Sequence, residues 1–139
     1  TTSGHTLAID YKNIKWSDAK GYKTFGWKDQ DVYALGYSFE TKKWAARLGY
    51  NYAKSPIVDL GTAAPSSTYN TLNLLGFPGI VESHYTFGGS YNFSDKVSVD
   101  LAYVMASEVT QTATNNSTSL KVSTKHSQSG VSFGVNYNF

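Results

Sequence analysis

Gly130-Val131-Ser132-Phe133-Gly134-Val135-Asn136-Tyr137-Asn138-Phe139 is the stretch on which the fold turns. Val131, Phe133, Val135, Tyr137 and Phe139 share one side of an extended chain, and Gly130, Ser132, Gly134, Asn136 and Asn138 share the other. A period of two held throughout such a stretch predicts a β-strand, because a helix would scatter the same residues around its axis. One face is large and apolar, and the other is small and polar.

The same contrast recurs upstream. Over residues 32–39, Tyr33, Leu35, Tyr37 and Phe39 oppose Val32, Ala34, Gly36 and Ser38. Over residues 44–53, Trp44, Ala46, Leu48, Tyr50 and Tyr52 oppose Ala45, Arg47, Gly49, Asn51 and Ala53. Residues 84–93 set Tyr85, Phe87, Tyr91 and Phe93 against His84, Thr86, Gly88, Ser90 and Asn92, and residues 97–106 set Val97, Val99, Leu101, Tyr103 and Met105 against Ser98, Asp100, Ala102, Val104 and Ala106. A weaker segment, residues 7–12, opens the series with Leu7, Ile9 and Tyr11. Helical periodicity is not evident anywhere, so six strands and no helix are expected. Residues 40–43 and 94–96 read as tight polar turns, whereas residues 13–31, 54–83 and 107–129 read as long connections. Short and long connections in alternation predict an up-and-down meander. Pro56, Pro65 and Pro78 all fall in the middle long connection, where they cost no ladder hydrogen bond. The Thr-, Ser- and Asn-rich residues 110–119 read as an exposed loop tip.

Composition narrows the setting. The chain has 139 residues, of which 16% are charged, well below the globular norm of about 25%. A net charge of +2 is too slight for a nucleic-acid footprint, and no nucleic-acid partner is expected. Mean hydropathy is −0.35, and no apolar run approaches the ~20 residues that a membrane-spanning helix needs. That excludes a helical anchor and leaves a membrane strand open. There is no cysteine, and His5, His84 and His126 lie apart without metal-ligand spacing, so neither a metal nor any other cofactor is expected. Nor does any Ser-His-acid arrangement stand out, so the chain is not read as an enzyme. No signal-like segment opens the chain at Thr1, which points to a mature product or a piece of something longer.

A soluble sandwich would turn the large residues inward, and a membrane barrel would turn them toward lipid. The small face decides between them: a water-facing sheet normally carries Lys, Glu, Arg and Thr, whereas Gly, Ala, Ser and Asn suit a crowded wet lumen. No charge interrupts the large faces, as expected where Arg or Lys at the bilayer midplane costs roughly 2–4 kcal/mol. With both tight turns on one side, that rim collects Phe39, Trp44, Phe93 and Phe139, with Tyr37, Tyr91 and Tyr137 one step in. Tyr33, Tyr50, Tyr52, Tyr85 and Tyr103 form a second band beside the long loops, giving the two aromatic girdles of an outer-membrane barrel. The fold class expected is therefore all-β: an antiparallel up-and-down transmembrane β-barrel, with residues 1–139 supplying one single-domain part of it. Six strands are too few to close a barrel, since about eight is the least that closes comfortably. The rest of the wall is expected from a missing amino-terminal part or from another chain. Tyr137 and Phe139 end the sequence in a way that resembles the signal read by the barrel insertion machinery.

Several loop stretches carry a family resemblance. Trp27-Lys28-Asp29, Ser55-Pro56-Ile57-Val58, Gly76-Phe77-Pro78-Gly79-Ile80-Val81-Glu82-Ser83-His84 and Phe93-Ser94-Asp95-Lys96-Val97-Ser98-Val99-Asp100 together resemble, in order and spacing, the carboxyl-terminal part of FadL-type transporters of long-chain fatty acids and aromatic hydrocarbons. The resemblance implies the last strands of a fourteen-stranded barrel whose plug this sequence does not contain. It also implies passive uptake of a hydrophobic small molecule across the outer membrane of a Gram-negative bacterium, in contact with its lipid and lipopolysaccharide. In that family a lysine shortly before the Gly-aromatic-Lys-Asp motif meets the substrate carboxylate, which implies Lys23 here, with Lys28 inside the motif Gly26-Trp27-Lys28-Asp29.

From the residues themselves, Leu72, Leu74, Leu75, Phe77, Ile80 and Val81 are an unusual apolar cluster for a loop. They either receive the cargo or pack the loop onto the barrel wall, and the sequence leaves both open. Arg47, Asp10, Asp100 and His84 fall on the small faces and are assigned to the lumen, the charged ones pairing with each other or with a plug. Two other functions remain: a structural or adhesive surface barrel that binds a partner through its loops, and a lipid-modifying barrel enzyme.

Overall fold

In a computed structural model, residues 3–61, 66–77, 79–115, 118 and 120–139 are described. The elements run β1 (Gly4–Ile14), β2 (Gln30–Glu40), β3 (Trp44–Ala53), α1 (Ser66–Gly76), β4 (Ser83–Asn92), β5 (Val97–Asn115) and β6 (Leu120–Tyr137). The strands form one antiparallel sheet in sequence order, β1 to β6, which is the expected meander. The sheet is open, since β1 and β6 each have a single strand neighbour.

Register keeps the two faces separate. Ala8, Gly36 and Gly49 lie in one rung, as do Asp10, Ala34, Asn51 and His84, so small and polar residues stack on small and polar residues across four strands. On the other face Leu7, Tyr37, Leu48, Phe87, Tyr103 and Val131 form a continuous row. A one-residue slip anywhere would mix the faces, so the sequence pattern specifies the pairing strongly. The large face is open to solvent: Leu7, Ile9, Leu35, Leu48, Leu101, Val131, Phe133 and Val135 are all exposed. Ala34, Gly36, Ser38, Gly49, Asn51 and His84, on the small face, are half-buried.

Both tight turns are held the same way. Thr41 Oγ1 accepts from the Lys43 and Trp44 amides, and Ser94 Oγ accepts from the Lys96 and Val97 amides. A hydroxyl at the first turn position closes the loop without glycine.

Two expectations fail. No helix was expected, yet residues 66–76 form α1. Its inward positions include Asn70, Asn73 and Leu74, and Phe77 continues the spacing, so the 3,4-periodic stripe is half asparagine and does not register as hydrophobic. Residues 107–129 were expected as a long loop, yet β5 continues to Asn115 and β6 resumes at Leu120, after a register shift between Ala106 and Val109. Beyond that shift Val109, Gln111 and Ala113 turn inward while Glu108, Thr110 and Thr112 turn outward, the alternation of a hairpin standing in water. Thr110 to Asn115, assigned to a loop tip, are therefore strand; residues 116, 117 and 119 lie outside the described residues, as do Pro65 and Pro78. Phe93 and Phe139 fall just beyond their strands.

Candidate functional site

The long connections and the β5–β6 extension meet at the end of the sheet away from the tight turns. Ile57, Leu74, Ile80 and Ala113 form a buried cluster there, with Trp27, Phe77, Val109 and Val122 packed on it. Four segments distant in sequence thus share one small core above the strands. Gly26 makes the approach possible: its φ is +73°, and the Leu60 side chain occupies the space a Cβ would need.

Aromatic rings extend the cluster. Trp27 stands edge-on to Phe77 at 5.7 Å, Phe25 meets Phe77 at 6.0 Å and Tyr69 at 6.1 Å, and Trp16 and Tyr22 close against Trp27. Polar side chains then fix the loops in place. The Trp27 indole N–H donates to Asn73 Oδ1 at 3.0 Å, and Asn73 Nδ2 donates to the Phe25 carbonyl at 2.8 Å. Asn70 accepts from the Leu60 amide and donates to Asp59 and to the Gly61 carbonyl. From the hairpin, Gln111 donates to the Ile57 carbonyl and Thr124 to that of Leu74. Asn70 and Asn73 are 2% and 1% exposed, so the bonds of these two amides replace water that cannot reach them. Sequence reading missed Asn70, Asn73, Gln111 and Thr124. The spacing of residues 70, 73, 74 and 77 was the signal, had asparagine been admitted to an inward stripe.

Seven residues expected to hold a ligand divide into three groups. Leu74 and Ile80 are buried and pack α1 and its following segment onto the hairpin; Phe77 is half-buried among the rings. Leu72 and Leu75 face outward, 43% and 66% exposed. Lys23 and Lys28 are exposed, and Lys28 lines a groove of about 400 Å³ with Tyr33, Tyr52, Lys54 and Val58. The apolar residues are thus not gathered on one surface, and those nearest Trp27 serve packing.

Asp29 anchors the first connection. Its carboxylate accepts from the Ser17 hydroxyl at 2.7 Å, the Ser17 amide at 3.0 Å and Lys15 Nζ at 2.9 Å. The Ser17 hydroxyl, then the Lys15 ammonium, hold its carboxyl at about 2, below the usual 3.8.

On the small face, Arg47 donates to Glu40 at 2.9 Å and to the Ser90 hydroxyl at 2.7 Å, while Asn136 donates to Asp100 at 2.6 Å. Of the pairings expected among Arg47, Asp10 and Asp100, Arg47 and Asp100 are linked only through the Ser90 hydroxyl, while Glu40 ion-pairs with Arg47, Asn136 donates to Asp100, and Asp10 has no side-chain hydrogen-bond or ion-pair partner among the described residues. His84 sits beside Asn51 in the next rungs toward the loops. At the rim of tight turns, Tyr137 and Phe139 stand edge to face at 5.2 Å, as Tyr91 and Phe93 do at 5.0 Å, and Phe39 lies 5.2 Å from Trp44. At the other end Tyr11 pairs with Tyr33 and Tyr50 with Tyr85. No helix is long and apolar enough to cross a membrane, which leaves strand crossing open. Comparison with protein-family models, with curated proteins and with solved structures finds no match.

Proposed function

We propose that β1–β6 form part of the wall of a transmembrane barrel in a Gram-negative outer membrane, and that this barrel admits hydrophobic compounds passively, without cofactor or chemical turnover. One observation carries the membrane reading: the large apolar residues stand outside along the whole sheet. Leu7, Ile9, Leu35, Leu48, Leu101, Val131, Phe133 and Val135 are each between 48% and 77% exposed. Burying such a side chain is worth about 1.5–3 kcal/mol, so leaving all of these in water forfeits an amount comparable to the ~5–15 kcal/mol that holds an ordinary domain together. Hydrocarbon as the outer solvent removes that deficit. Strand lengths agree: β1 to β4 have 10 or 11 residues, against the ~9–11 that a tilted strand needs to cross. Further strands from the same polypeptide or another chain then pair with β1 and β6, whose free edges lipid would not tolerate.

Passive uptake rests on the pairing of a small-walled lumen with an apolar loop end. Leu72 and Leu75 offer an exposed apolar landing outside the membrane, and Lys23 and Lys28 are exposed cations on the first connection at the same end of the sheet. Spin labels at Leu35, Leu48, Leu101 and Val135 in vesicles test the placement. They are expected to be open to oxygen and shielded from a polar nickel quencher; free access of the nickel reagent at all four positions would overturn it.

A further inference from the structure

Across the middle of the small face runs a groove of about 320 Å³, lined by Ala8, Asp10, Ala34, Gly36, Gly49, Asn51, His84 and Thr86. Its floor is nearly free of side chains. Gly36 lies between Ala8 and Gly49 in one rung, and Ala34 lies between Asp10 and Asn51 in the next. The Thr86 hydroxyl fills the space above Gly49 and overhangs the floor from the side of β4. What remains is a flat strip of backbone and methyl groups, bounded on β1 by a carboxylate and on β3 and β4 by an amide, an imidazole and a hydroxyl. Adjacent strands lie about 4.8 Å apart, so Asp10 and Asn51 stand roughly 10 Å apart across the strip, and Asn51 and His84 are direct neighbours.

These edge groups contrast with the rest of the small face. Glu40, Arg47, Ser90, Asp100 and Asn136 are engaged with each other, whereas Asp10, Asn51, His84 and Thr86 have no hydrogen-bond partner among the described residues. We propose that this groove binds a small planar ring carrying a hydroxyl or amino group, a phenol or an arylamine. This deepens, and rests on, the reading of the small face as a lumen. A ring lays its whole face on a flat strip, whereas a flexible alkyl chain touches it along a line. Asp10 only accepts, and Asn51, His84 and Thr86 each offer an acceptor and a donor, so a hydroxyl that both gives and takes satisfies two sides at once. A carboxylate meets the like charge of Asp10 instead; the cations flanking the groove on this face are Lys12, one step nearer the loops, and Arg47, one step nearer the tight turns and already paired with Glu40.

The complete barrel, with the further strands that pair with β1 and β6, is reconstituted in lipid vesicles and titrated with a naphthol, with naphthalene and with a naphthoate, read by fluorescence against protein-free vesicles. Naphthol is expected to bind most tightly. Gly36→Val fills the floor, and its Cβ meets only the Ala8 methyl at 3.7 Å, an ordinary contact. It is expected to weaken naphthol and naphthalene alike, by about tenfold or more. Asn51→Leu and Asp10→Asn are expected to weaken naphthol severalfold and leave naphthalene unchanged, and they keep the test decisive if Gly36→Val fails to insert. Equal naphthol affinity in the wild-type chain and in all inserted variants would overturn the site. So would tighter binding of naphthoate than naphthol with loss in Lys12→Gln or Arg47→Gln, which makes it an anion site. Spin labels at Leu35 and Leu101 on the same vesicles separate the two failures. Labels in lipid with no naphthol selectivity reject the groove alone, and labels in water reject the barrel with it.

Discussion

Asp29 shows how a single side chain sets the entry to β2. Three donors converge on it, from Ser17 twice and from Lys15 once, and its carboxyl is held at about 2 rather than 3.8. A folded value below the unfolded one means that its contribution is whole above pH ~4 and is lost as pH falls through about 2. Hydrogen exchange at the Ser17 amide is therefore expected to accelerate as pH drops from 4 to 2, once corrected for intrinsic rates. Asp29→Asn flattens that response; an undiminished response in Asp29→Asn would assign it to another group. Asn70 and Asn73 act at the same scale but through burial. Each uses both ends of its amide, so an asparagine there does what an apolar residue cannot: it closes the Leu60 amide, the Trp27 indole and the Phe25 carbonyl inside a dry core.

Helix α1 has two unlike sides. Leu74, 2% exposed, sits among Ile57, Ile80 and Ala113, whereas Leu75, its neighbour in sequence, is 66% exposed. Leu74→Ala is expected to cost the loop cap about 2–5 kcal/mol, and Leu75→Ala no more than about 0.5 kcal/mol. Limited proteolysis in residues 54–82 measures both, and equal protection of the two variants would contradict the packing. An 11-residue helix of modest propensity is marginal alone, so α1 depends on the hairpin beneath it. The hairpin in turn changes character at the register shift between Ala106 and Val109. Below it the apolar residues of β5 face outward, and above it they face the loop core. A bulge of this kind re-aims side chains without ending the strand.

At the scale of the whole molecule the two faces of the sheet differ in kind, one built of large apolar residues and one of small and polar ones. Leu101 lies at the centre of the outer face and Ala102 beside it on the inner one. In vesicles Leu101→Arg is expected to lose roughly 2–4 kcal/mol in denaturant titration, while Ala102→Ser changes little. A gain in solubility and stability for Leu101→Arg in detergent-free buffer would show that the outer face meets water. The open edges at β1 and β6 belong to this scale as well. A sheet with six strands and two free edges buries little of itself, and on the reading proposed above lipid covers its large-residue face and more strands cover its edges.

Much of this architecture is determined by sequence alone, because a strand's side chains alternate strictly and each face declares its surroundings residue by residue. Val131 to Tyr137 and Tyr33 to Phe39 fix their strands, their faces and, through the tight turns at Thr41 and Ser94, their register. The placement of Arg47, Asp100 and His84 on the small face follows from the same parity. Only the tertiary structure decided the rest. Helix α1 stayed hidden because its inward stripe contains Asn70 and Asn73, whose burial is tolerable only once Phe25, Trp27, Asp59 and Leu60 arrive from elsewhere in the chain. The extension of β5 and β6 stayed hidden because its threonines and glutamine gain their inward partners from α1 and Ile57. Which leucines pack and which stand exposed in residues 72–80 was likewise beyond local pattern, since Leu74 and Leu75 differ only in what the fold brings to them. Periodicity is a local property of the backbone, whereas satisfying a buried polar group depends on contacts distant in sequence, and those exist only in the folded chain.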